Sequence, residues 1–94
     1  MAWSDIVDAA PVSARRAADV VASLATMPGV VSDDGVVAAL CAAEGVAATP
    51  CAAARIDVAG IRRSLARGEL MCTFRRVERA LIALSTLRDH PDAG

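Results

Sequence analysis

The sequence predicts an all-α fold, a compact bundle of five to six short helices, and three observations carry that prediction. Hydrophobic residues make up 55% of the 94-residue chain, and many of them are alanine, the strongest helix former. Aromatic residues are reduced to Trp3 and Phe74, with no Tyr, whereas a β-sandwich or barrel draws on aromatic and β-branched residues in alternation. Apolar positions also recur at helical spacing in segment after segment. A chain of this length forms one domain, residues 1–90, followed by a short frayed tail at 91–94.

Trp3, Ile6, Val7 and Ala10 share one face of a short amphipathic segment over 2–10, which Pro11 ends. Ser13 is placed to cap a helix over 14–27, with Ala17, Val20, Val21 and Leu24 as its buried stripe. Pro28-Gly29 terminates it. Asp33 or Asp34 then caps a helix lined by Val36, Val37, Leu40 and Cys41 and closed by Gly45. Thr49-Pro50 is an N-cap followed by Pro at the first helical position, opening a short helix over 50–55. Asp57 caps the next, over 58–67, with Val58, Ile61 and Leu65 inward and Gly68 behind its basic last turn. Thr73 is expected to cap the final helix, whose stripe is Phe74, Val77, Leu81, Leu84 and Leu87 or Arg88.

All ten basic residues are Arg, and the formal net charge is −1, so no global polycation is present. The charge is unevenly spread. Residues 1–47 hold two Arg against six acids, a balance of −4, and residues 48–94 hold eight Arg against five acids, a balance of +3. A basic half beside an acidic half fits either a nucleic-acid face or complementary packing. Met1-Ala2-Trp3-Ser4-Asp5 lacks the basic start and following apolar run of a secretory signal, and no stretch is long and apolar enough to span a bilayer. A cytoplasmic protein is expected.

The residues argue against catalysis and against a cofactor. The single histidine, His90, lies at the edge of the tail, the glycines are too dispersed for a phosphate loop, and the carboxylates sit mostly at helix starts. Cys41, Cys51 and Cys72 are odd in number and form no CxxC pair; with His90 they match a zinc ligand count but not its spacing. Buried structural thiols, and no metal, are expected.

What remains is a short helix, a tight turn at Ile56-Asp57, and a helix over 58–67, the order that a helix-turn-helix requires. Ala59, Gly60, Arg62, Arg63, Ala66 and Arg67 are expected to face outward, the small pair Ala59-Gly60 allowing close approach to a major groove. Arg75 and Arg76 fall in what is read as a first helical turn, where they oppose the macrodipole. With Arg79 they either clamp a phosphate or form a solvated face paired with Glu78 and the acidic half.

The stretch Thr49-Pro50-Cys51-Ala52-Ala53-Ala54, then Asp57 through Glu69, then Phe74-Arg75-Arg76-Val77-Glu78-Arg79-Ala80-Leu81 resembles the lambda-repressor-like helix-turn-helix domains, over residues 45–84. The resemblance implies a small DNA-binding transcriptional regulator, with Ala59 to Arg63 in the major groove and Thr49, Arg75 and Arg76 on phosphates. It also implies a homodimer reading two half-sites. Leu70-Met71-Cys72 stands where that family usually has Asn-Pro. Ile61 to Leu70 is similar to the recognition segment of excisionase and MerR-like winged helices, a second resemblance. The alternative is a non-enzymatic helical module that binds another protein, with Trp3, Ile6 and Val7 as its interface.

Overall fold

The computed structural model describes residues 12–27 and 31–90, and within them five helices and no strand. They are α1 (Val12–Thr26), α2 (Asp33–Glu44), α3 (Pro50–Ala53), α4 (Val58–Ala66) and α5 (Leu70–Asp89). The expected amphipathic segment at 2–10, with Trp3, Ile6 and Val7, and the tail at 91–94 lie outside the described residues.

The 20-residue α5 is the spine of the bundle: α1, α4 and α2 all pack on it. Helix α2 in turn touches α1, α3 and α4. The predicted stripes supply the core. Leu24 of α1, Val36 and Leu40 of α2, Ile61 of α4 and Val77, Leu81 and Leu84 of α5 are all essentially fully buried. Each such side chain contributes about 1.5–3 kcal/mol on leaving water. Val37, Val58, Leu65, Phe74 and Leu87 pack on this core half-buried. Ile56, in the turn before α4, inserts into it as well.

Local chemistry fixes most of the helix ends. Thr49 and Asp57 cap α3 and α4 as expected, accepting from the backbone N–H of Ala52 and Gly60 at 3.1 Å each. Gly45 and Gly68 take the left-handed conformation, φ 66° and 71°, which glycine adopts without the steric cost of a Cβ. They end α2 and α4 where the sequence placed the stops.

Several starts differ. Helix α1 already includes Ser13, which is therefore not its cap; serine is only mildly unfavourable within a helix. The cap of α2 is Ser32, whose Oγ accepts from Gly35 N–H at 3.0 Å, while Asp33 and Asp34 occupy the first turn and complement its dipole. Helix α3 is one turn, stopping at Ala53 rather than Arg55. The largest correction concerns Thr73. Helix α5 begins at Leu70, because Leu-Met-Cys continues as helix directly after the Gly68 turn, and Thr73 lies buried in its interior. Its hydroxyl shares a 2.8 Å hydrogen bond with the buried Ser64 hydroxyl and lies 3.0 Å from the Glu69 carbonyl. That polar pair stitches α4 to α5.

A buried carboxylate ties three helices together. Glu44, at the end of α2, is 4% exposed and receives Arg16 of α1 and Arg88 of α5 on the same oxygen, Oε2, at 3.0 Å each. Arg88 also donates to the Glu44 backbone carbonyl at 2.9 Å, which suits a cation at a helix C-terminus. No buried side-chain nitrogen or oxygen among the described residues lacks a partner.

Candidate nucleic-acid interface

Helix α4 is held on three sides. Ile61 points into the core, Ser64 and Gly60 face α5, and Arg62 reaches toward the start of α2. The remaining arc carries Ala59, Arg63, Ala66 and Arg67, all exposed, at i, i+4, i+7 and i+8. No acidic side chain sits on that arc. It is the only part of α4 free to meet a groove.

Gly60 is not on this outer face. It is buried beneath the Asp57 carboxylate and the Arg76 guanidinium, and a Cβ there would stand 2.6 Å from Arg76 Nη1. Its smallness serves the α4–α5 contact rather than approach to an external ligand. Arg62 is half-buried and ion-paired with Asp33 at 2.6 Å. Arg76 is half-buried and ion-paired with Asp57, the cap of its neighbour helix. Both guanidinium groups are thus occupied by aspartates that the sequence placed at helix starts.

Since α5 begins at Leu70, Arg75 and Arg76 lie in its second turn, not its first. The dipole penalty that pointed to an anion at that helix start does not arise, because the effect fades within the first turn. Arg75 and Arg79 are exposed one turn apart on the outer face of α5, without an ion-pair partner among the described residues. Arg63 is equally unpaired, while Arg67 stands 4.0 Å from Glu69. Thr49 is exposed, its hydroxyl committed to the α3 cap. Sequence reasoning missed Arg55, exposed in the turn that leads into α4; its place between the two short helices was the signal available. The short helix α3 packs principally on α2.

Beside the α4 face runs an apolar groove in which Leu24 of α1, Met27 just after it, Val31, Leu65 of α4 and Leu70 of α5 form the walls and Arg62 and Arg63 the rim. Met27 is 44% and Leu70 51% exposed.

The cysteines divide. Cys41 is buried in the core, and burial pushes its thiol pKa up, keeping it protonated. Cys51 and Cys72 are exposed, contrary to the expectation of buried thiols, because each falls on the solvent side of its helix. No cluster of three or more metal-ligating side chains occurs among the described residues. No helix there is long and apolar enough to cross a membrane. Comparison with protein-family models, with curated proteins and with solved structures found no match to this chain.

Proposed function

We propose that this protein is a small DNA-binding regulator that presents the outer face of α4 to the major groove. The observation that carries the reading is the exposed arc of Ala59, Arg63, Ala66 and Arg67, small and basic positions alternating with no acid among them. A nine-residue helix is about 14 Å long and enters a groove about 12 Å wide when its outer side chains are slim at one end. Arg63, at the centre of the arc, is the base-reading group; Arg bidentate to guanine is the commonest specific contact. Arg67, Arg55, Arg75 and Arg79 supply phosphate contacts. Arg62 and Arg76 hold α4 in place through Asp33 and Asp57 and act as positioning residues. Pairing of two copies across a two-fold axis belongs to the same proposal, since it lets one short helix read two half-sites.

The test is selection of bound fragments from a DNA library at two salt concentrations. Arg63→Ala should cost about 1–3 kcal/mol and relax preference at one base pair. Arg75→Ala should weaken all sequences alike and reduce the salt slope by about one. Retained selection by the Arg63→Ala/Arg67→Ala double variant would refute the reading.

A second reading, a helical module that binds another protein, is favoured by the groove of Leu24, Met27, Val31, Leu65 and Leu70 with its arginine rim. It predicts that Leu70→Asp abolishes partner binding while Arg75→Ala and Arg79→Ala leave it intact.

A further inference from the structure

Three helices converge on the groove beside α4 and leave it concave. Leu24 in the last turn of α1, Leu65 of α4 and Leu70 at the start of α5 enclose, with Met27, a space of about 600 Å³, within the size range of small-molecule sites. Leu24 closes the floor at 1% exposure, while Met27 and Leu70 stay open to water. No acidic side chain lines the groove, and its polar edge is Arg62 and Arg63, from adjacent positions of α4. Arg63 has no ion-pair partner among the described residues, and Arg62 meets the exposed Asp33 through Nη1 alone. Two guanidinium groups therefore stand against one carboxylate, which leaves one positive charge unbalanced beside apolar walls.

We propose that this groove binds an amphiphilic organic anion, a small molecule with a flexible apolar body and one carboxylate. The body displaces water from Leu24, Leu65 and Leu70, the burial that drives apolar ligands into such sites. The carboxylate meets Arg63, and the donors of Arg62 that Asp33 leaves unused, because a guanidinium presents a planar fork that a carboxylate matches with two hydrogen bonds. Apolar walls alone would accept any hydrocarbon; the unbalanced charge at the edge selects the anion. The proposal is independent of DNA binding by α4, and it assigns the groove to a small molecule rather than to a protein side chain.

The full chain is titrated with hexanoate, octanoate and decanoate, each below its aggregation concentration, and with octanol and octylammonium. Calorimetry gives the affinity and methyl NMR shifts give the location. One saturable site is expected, with shifts confined to Leu24, Met27, Leu65 and Leu70. Each added methylene should tighten binding about threefold. Octanol should bind about tenfold more weakly than octanoate, for want of the charge-assisted hydrogen bonds, and octylammonium more weakly still. Arg63→Gln should weaken octanoate about tenfold and leave octanol unchanged, a split that a structural role would not produce. Leu70→Glu should weaken every anion at least about tenfold. Ile82→Ser, at an exposed apolar position elsewhere on α5, should alter none of them. Absent or non-saturating binding, octanol or octylammonium as tight as octanoate, or an octanoate affinity unmoved by Arg63→Gln or by Leu70→Glu overturns the proposal. Shifts centred on Ile82 overturn it equally. Urea unfolding checks that both variants keep the cooperative transition; should Leu70→Glu lose it, Leu70→Ser decides on the same criteria.

Discussion

Replacing Gly60 by alanine should destabilise this protein, against the usual sign. Within a helix, Gly→Ala is ordinarily stabilising by about 0.5–1 kcal/mol, because glycine has more backbone freedom to lose on folding. At Gly60 the new Cβ would stand 2.7 Å from Asp57 Cγ and 2.6 Å from Arg76 Nη1, well inside contact distance. The Asp57 side chain must swing away. It then loses its 3.1 Å cap on Gly60 N–H, worth about 1 kcal/mol, and its pair with Arg76. That pair is exposed, so it contributes about 0.2–1 kcal/mol. Against the propensity gain, a net loss of about 0.5–1 kcal/mol remains, a fall in Tm of several degrees for a domain of this size. Urea and thermal unfolding followed by circular dichroism measure it. The sign should reverse in an Asp57→Ala background, where cap and pair are already gone and Gly60→Ala should stabilise by about 0.5–1 kcal/mol. A stabilising Gly60→Ala in the wild-type background would refute the close α4–α5 approach.

Other consequences follow from the same geometry. Glu44→Gln should lower stability by about 2 kcal/mol in urea unfolding, less than a fully buried pair would lose because both arginines reach water. Arg16→Met should cost under about 1 kcal/mol, since Arg88 keeps the carboxylate paired. Ser64→Ala should cost about 1 kcal/mol by the same assay, with the Thr73 hydroxyl still satisfied by the Glu69 carbonyl. Thiol labelling of the native protein should modify Cys51 and Cys72 rapidly and Cys41 only on unfolding. Because burial raises the Cys41 pKa, its contribution to stability is complete below the ordinary thiol range, about 8.5, and is lost as pH rises above it. Cys41→Ala should flatten that alkaline decline in a pH series of urea midpoints.

Helix existence was legible because each stripe obeys one period and each stop is a strong local signal, as Gly45 and Gly68 show. The caps Thr49 and Asp57 were legible for the same reason. Thr73 was misplaced because its hydroxyl answers to Ser64, nine residues away, in a contact that exists only once α4 and α5 pack. Asp33 and Arg62 are 29 residues apart, and nothing local announces their pairing. The outward position of Arg63 and Arg67 could be read from periodicity, but the inward turn of Gly60 depended on where α5 lies. Cys51 and Cys72 were misjudged by residue type, since free cysteine is usually buried, whereas the helix faces they occupy here are open.

The most direct measurement is footprinting of the amide and arginine resonances by NMR titration with a selected duplex. Contact through α4 predicts that Ala59, Arg63, Ala66 and Arg67 shift together, with Gly60 and Ser64 perturbed less. Shifts confined to the groove of Leu24, Met27 and Leu70, or no shifts at salt concentrations where DNA-binding domains bind, would contradict it.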